Sequence, residues 1–200
     1  MQVYFGKKEH PAVDLRIADH NLEVVNKVKL LGVTIQSDLK WDGQVDSILL
    51  KANRKMFMLR KLKAAGLNSQ ELLIVYKGYI RPILEYAAPM WHPGLTQRQV
   101  NQVENIQKRV CKHVLGREYK SYTDSLATQE IKTLHDRRVD MCKDFASKVL
   151  ASERFSSWFA SPLYQSSMQL RRKHVVQPFR CNTERFKSSA LPYMANLLNS

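Results

Sequence analysis

The residue pattern predicts a mainly α chain with a small N-terminal β portion, and three observations carry that expectation. β-branched residues at strand-like spacing are confined to residues 1–37. From about residue 43 the apolar residues recur at about 3.6-residue spacing. Between the periodic segments stand glycines, prolines and Asn/Thr caps, where helices should stop and start.

At the N-terminus Val3 and Phe5 alternate with polar neighbours. Leu22, Val24 and Val25 run into Asn26–Lys27, and Val28-Lys29-Leu30-Leu31-Gly32-Val33-Thr34-Ile35 comes next. Two β-branched runs around a short polar turn predict a hairpin turning at Asn26–Lys27. Gly32 inside the second run predicts a bulge or a close backbone approach. The first helix should place Val45, Ile48, Leu49, Ala52, Met56 and Leu59 on one face and end at Gly66. Asn68-x-x-Glu71 has the form of a capping box. It opens a second helix carrying Leu72, Leu73, Tyr76 and Ile80, which Pro82 should kink or break before a short apolar stretch from Ile83 to Trp91. His92-Pro93-Gly94 reads as a turn. Thr96-x-x-Gln99 then caps a third helix with Val100, Val103, Ile106, Gln107, Val110 and Val114 on one face and Gly116 just beyond. A fourth helix from about Thr133 should bury Leu134, Cys142, Phe145 and Val149. After Ser152 only scattered anchors remain (Phe155, Trp158, Phe159, Tyr164, Leu191, Leu197). They predict a loosely ordered tail that ends in a short helix near Leu191–Leu198.

Composition narrows the function classes. With 44% hydrophobic and 25% charged residues the chain has the makings of a packed core. The formal net charge of +14 directs it toward polyanions, nucleic acid first. Residues 51–120 hold 14 basic and 4 acidic side chains, a net of +10, so the polyanion should be held in the middle third. Cys111, Cys142 and Cys181 form no CxxC or CxxH pair, which leaves no zinc site and suggests reduced, mostly buried thiols. No apolar run has the length of a signal peptide or a membrane span. The expected location is intracellular, in nucleus or cytoplasm and not secreted, with no membrane partner and no small-molecule substrate.

No catalytic or metal-ligating set is assigned. Two-metal chemistry needs carboxylates converging on the ions. The aspartates here are dispersed (Asp14, Asp19, Asp38, Asp42, Asp46, Asp124, Asp136, Asp140 and Asp144), and none forms a pair on a strand. Asp136, Asp140 and Asp144 could line one helix face, but the interleaved Arg137, Arg138, Lys143 and Lys148 make it a solvated, salt-bridged face. No Gly-x-Ser-x-Gly elbow or glycine-rich phosphate loop is present, and the histidines stand singly.

Binding has better support. Lys51, Arg54, Lys55 and Lys61 lie opposite or beside the apolar stripe of the first helix. On the third helix Arg98, Asn101, Asn105, Lys108, Arg109 and Lys112 face away from its apolar side. Helix faces with several cations and no acids suit phosphate contacts, which position nucleic acid without reading its sequence. Tyr76, Tyr79, Tyr86 and Trp91 lie among Lys77 and Arg81, and interhelical packing is the expected use of rings at that spacing.

Four ordered blocks resemble a known family. Lys29-Leu30-Leu31-Gly32-Val33-Thr34-Ile35 followed by Leu39-Lys40-Trp41 resembles a signature of non-LTR (LINE-type) retrotransposon reverse transcriptases. Val75-Tyr76-Lys77-Gly78-Tyr79-Ile80-Arg81-Pro82-Ile83-Leu84-Glu85-Tyr86 with Trp91 is similar to that family's RP-(I/V)-LEY…W pattern. The stretch from Leu95 through Glu104-Asn105-Ile106-Gln107-Lys108-Arg109 to Leu115-Gly116 is similar to its next helix. Thr183-Glu184-Arg185-Phe186 with Ser189, Pro192 and Leu197-Leu198-Asn199 is similar to its carboxy-terminal finish. The jockey and CR1-like branches are the nearest fit.

The resemblance implies three parts. Residues 1–40 would be a palm remnant whose hairpin carries a primer grip at Leu31, Gly32 and Val33. Residues 41–117 would be the helical thumb, and 118–200 a carboxy-terminal helical region and tail. The implied partner is an RNA or DNA duplex, the template–primer, held mainly through phosphates. The family's catalytic aspartates, which use magnesium, lie upstream of its primer grip. The expectation is therefore a chain without polymerase activity or cofactor, beginning at an internal methionine of a once longer frame or at a start chosen in a degraded copy. A co-opted, non-enzymatic nucleic-acid-binding or scaffold protein is the competing expectation. Strands freed from the missing sheet would leave exposed edges prone to aggregation.

Overall fold

The computed structural model describes residues 1–5, 15–18, 20–159 and 175–200; Asp14, Asp19 and Tyr164 lie outside them. The described residues are mainly helical with two small N-terminal hairpins, as the periodicity predicts. Strands β1 (Arg16–Ile17) and β2 (His20–Asn21) pair antiparallel, as do β3 (Lys27–Leu30) and β4 (Val33–Gln36).

The main hairpin differs from its expected register. It turns at Leu31–Gly32, with Leu30 opposite Val33, and not at Asn26–Lys27. Leu31 and Gly32 both take positive φ, 47° and 85°, which is the signature of the two-residue turn whose twist matches antiparallel strands. Gly32 is thus a turn residue and not a bulge. The expected close approach does occur, because a Cβ on Gly32 would lie 3.1 Å from the Tyr86 ring. Val24 makes only an isolated bridge to Gln2, and Val3 and Phe5 form no strand.

Two glutamine side chains dock the hairpin onto α1 (Asp42–Ala64). Gln44 Oε1 accepts from Thr34 N at 2.9 Å, and Gln36 Oε1 accepts from Gly43 N at 2.6 Å. The first of these satisfies a backbone donor of β4 with a side chain of α1. Helix α1 buries Val45, Ile48, Ala52, Met56 and Leu59, and Gly66 stands just past its end at φ 98°.

The Asn68/Glu71 capping box is present and opens α2 (Ser69–Val75). Pro82 does not break the helical path beyond α2. Tyr76–Ile80 widens into a π-helical turn in which Arg81 N bonds to Tyr76 O, and Pro82 is carried in the first turn of α3 (Arg81–Glu85). The wider turn re-routes the hydrogen bonds that a proline would otherwise disrupt. The chain turns at Ala87 instead, which sits at φ 52°. The stretch expected only to be apolar is helix α4 (Ala88–Trp91), and it leads into a short 3₁₀ turn, His92–Gly94.

The Thr96/Gln99 box opens α5 (Gln97–Leu115) as expected. Helix α6 (Tyr122–Thr128), for which no periodicity prepared, is capped by Ser121. Thr133 caps α7 (Leu134–Ala151), where Leu134, Cys142 and Val149 are buried. Phe145 is 41% exposed, contrary to expectation. It falls one position off the Cys142–Ala146–Val149 stripe that faces the core.

The main core joins Val33 of the hairpin to α1, α2, α3, α5 and Leu134 of α7. A second core forms where Ala146 and Val149 meet Phe159, Val176, Met194 and Ala195. The described carboxy-terminal residues, with α8 (Glu184–Lys187) and α9 (Ala190–Leu198), therefore close onto α7 and do not form the expected loose tail. Asn199 fastens the segment by accepting from Val175 N at 2.7 Å and donating to Val176 O at 3.0 Å.

Candidate nucleic-acid interface

The two basic helices run side by side in the same direction. Near one end Gln99 Nε2 donates to Asp42 Oδ1 at 2.8 Å. Midway, Arg109 Nη1 donates to Asn53 Oδ1 at 2.9 Å. At the far end Lys63 Nζ donates to the carbonyl oxygens of His113 and Val114. That third link gives α5's last turn a cation for its unpaired carbonyls.

Along this helix pair Lys51, Arg54, Lys55, Lys61, Arg98, Arg109 and Lys112 are exposed, and Lys108 is half-buried. Lys108 Nζ lies 5.3 Å from the Tyr122 ring centre, and Lys112 Nζ lies 5.4 Å from that of Tyr119. Rings hold these two cations in place without neutralising them. Arg60, Arg117 and Lys120 are exposed as well and add to the positive charge of this part of the chain, although the helical wheels do not single them out. Two of the three come after α5 and so have no place on its wheel.

The hairpin residues implied as a primer grip separate. Val33 is buried in the main core, while Leu31 is 84% exposed at the tip. Tyr86 Oη donates to Leu31 O at 2.8 Å, so an exposed tyrosine ties the tip to the helices. The aromatic group divides similarly. Tyr76 and Trp91 are fully buried, as the packing expectation required, whereas Tyr79 and Tyr86 are exposed.

A buried polar network fixes which face of α5 looks outward. Tyr122 Oη donates to Glu104 Oε1, and the Glu104 carboxylate also accepts from Leu134 N and His135 N, both at 3.1 Å. It thereby serves as an anionic cap for the N-terminus of α7. Gln107 accepts from Tyr76 Oη and donates to Tyr122 Oη at 2.9 Å and to Lys132 O at 3.0 Å. With Glu104 and Gln107 engaged inside, Arg98, Asn101, Asn105, Arg109 and Lys112 are left facing water.

On α7 the expected salt-bridged face is only partly found. Asp136, Asp140 and Asp144 are exposed, and Asp140 pairs with Lys132 at 2.8 Å. Arg137 instead binds Glu85 through both Nε and Nη2. Arg138 is fully buried. Its Nε donates to His92 Nδ1 at 3.2 Å, its Cζ lies 5.8 Å from the Trp91 ring centre, and its Nη1 and Nη2 find no hydrogen-bond partner among the described residues. Charge type alone assigns this side chain to solvent, but its place on the inward stripe decides otherwise.

Burial, the Arg138 guanidinium and His135 together hold His92 down to about 3, so its imidazole stays neutral and can accept from Arg138. The folded value lies below the ordinary one of about 6.5, so the unfolded chain takes the proton first on acidification. Stability is then lost as pH falls from about 6.5 toward about 3, at up to about 1.4 kcal/mol per pH unit from this group. His92→Gln keeps an acceptor for Arg138 but does not titrate. Denaturant midpoints between pH 4 and 7 should fall less steeply for this variant, and parallel curves would contradict the assignment.

Among the described residues no group of three His, Cys, Asp or Glu side chains converges as metal ligands would. Cys111, Cys142 and Cys181 are free thiols, and burial pushes the first two up to about 11. No helix of the described residues is long and apolar enough to cross a membrane. Compared with known protein families, curated proteins and solved structures, the chain matches none.

Proposed function

We propose that the chain binds nucleic acid through phosphate contacts along α1 and α5, as the primer-grip, thumb and tail portion of a non-LTR retrotransposon reverse transcriptase. The supporting observation is the side-by-side placement of two basic helix faces, bridged by Arg109 and Asn53. Cations from two parallel helices make one surface along which a phosphate backbone can lie. The four motif blocks support the family part of the reading. No two aspartates are adjacent in the sequence, so the reading assigns copying chemistry to none of these residues.

The test is fluorescence anisotropy with a labelled RNA–DNA hybrid, paired with primer extension on the same substrate. Binding that weakens steeply with salt and no templated incorporation are the expected results. Templated incorporation would overturn the non-enzymatic part, and salt-insensitive binding the phosphate part.

A further inference from the structure

One row of side chains on α1 does not suit a duplex. Leu50, Arg54, Phe57 and Lys61 recur at helical spacing on the same exposed face. Leu50 is 54% exposed and Phe57 61% exposed. Lys61 Nζ stands 5.5 Å from the Phe57 ring centre. The row spans about 16 Å along the helix. Beside it, Asn53 holds Arg109 of α5, so cations border the ring from both helices. No acidic residue occurs on α1 after Asp46.

A duplex presents phosphates and sugars to such a face and keeps its base faces stacked inside. Pressing phosphates onto Leu50 and Phe57 would desolvate them to no gain. An unpaired strand offers both of the things the row can use: phosphates for Arg54 and Lys61, and a free base face for the Phe57 ring. We infer that the Leu50–Arg54–Phe57–Lys61 row is a binding site for unpaired nucleic acid, with a base stacked on Phe57 and the flanking phosphates on Arg54 and Lys61. The inference rests on the nucleic-acid reading above and adds strand form to it. Lys61, already against the ring, would lie at the border between stacked base and phosphate, where cation–π contact and charge neutralisation act together.

The experiment compares a labelled 20-nucleotide single strand, a 20-base-pair duplex and an abasic strand of equal charge, each titrated into the full chain, Phe57→Ala and Phe57→Trp. The unpaired strand should bind more tightly than the abasic one. Phe57→Ala should weaken it about tenfold, within the range of one lost base stack. The same variant should leave duplex and abasic affinities unchanged, and Phe57→Trp should restore single-strand affinity. Being largely exposed, Phe57 can be replaced without opening the core, which a thermal melt verifies. If Phe57→Ala binds all three ligands like the parent chain, the stacking site is refuted while the phosphate reading stands. Equal affinity for the abasic and complete strands would refute it in the same way, leaving a general polyanion surface. If no ligand binds in a salt-dependent manner, the nucleic-acid reading fails and the inference falls with it.

Discussion

Glu104→Ala is expected to destabilise the protein by about 2–4 kcal/mol, because a largely buried carboxylate that takes three hydrogen bonds is lost and its neutral donors are left unpaired. Glu104 is 8% exposed, and its carboxylate accepts from Tyr122 Oη, Leu134 N and His135 N. Alanine would leave two backbone donors at the start of α7 and a phenol without their acceptor. Hydrogen bonds to a charged group are worth about 1.5–3 kcal/mol each, and orphaned buried donors cost a further desolvation penalty. Against a total stability of about 5–15 kcal/mol this is a large fraction. Glu104→Gln keeps one acceptor oxygen and should fall between parent and alanine. Urea unfolding monitored by circular dichroism reads the effect. A loss below about 1 kcal/mol in Glu104→Ala would mean that α7 does not depend on this cap.

Reversing Arg54, Lys61, Arg109 and Lys112 to glutamate together is expected to lower nucleic-acid affinity at least about a hundredfold at physiological salt, because four candidate phosphate contacts become repulsive. All four side chains are exposed, so folding should persist. Surface substitutions of this kind usually change stability by no more than about 0.5 kcal/mol. Arg109 also gives up its bond to Asn53, an exposed contact of small worth. The control is placement. Lys143→Glu with Lys148→Glu reverses exposed charges on α7, outside the helix pair. That variant should retain most of the affinity. An equal loss per charge at both places would show that net charge binds and no particular face does.

How far the sequence reveals these features depends on how local their causes are. Both capping boxes and the glycines after α1 and α5 are legible because a cap is decided within four residues of chain. The outward basic face of α5 is legible for the same reason, since one helix period sorts its residues. The hairpin turn is not. Leu31 is a poor residue for positive φ, so no Asn-Gly or Asp-Gly signal marks it, and the site is held in part by Tyr86 from 55 residues away. Pro82 misleads because a proline signals a break, while the π-helical turn before it, which re-routes the hydrogen bonds, has no mark of its own in the residue pattern. Arg138 and Glu104 show the hardest case. Both lie on inward stripes among apolar residues, where charge argues for solvent and position argues for burial, and partners 30 and more residues away settle the matter. The chain does carry one hint: Val100, Glu104, Gln107, Cys111 and Val114 form a helical stripe in which two polar residues interrupt apolar ones.

The central claim is that the α1–α5 surface holds a phosphate backbone, and its most direct test is the salt dependence of binding. Anisotropy titrations at several concentrations between about 50 and about 200 mM salt give the slope of log K against log salt. With Lys51, Arg54, Lys55, Lys61, Arg98, Lys108, Arg109 and Lys112 as candidates, a slope between about −3 and −7 is expected, and the four-residue reversal should abolish most of it. A slope near zero, or one unchanged by the reversal, would contradict the account.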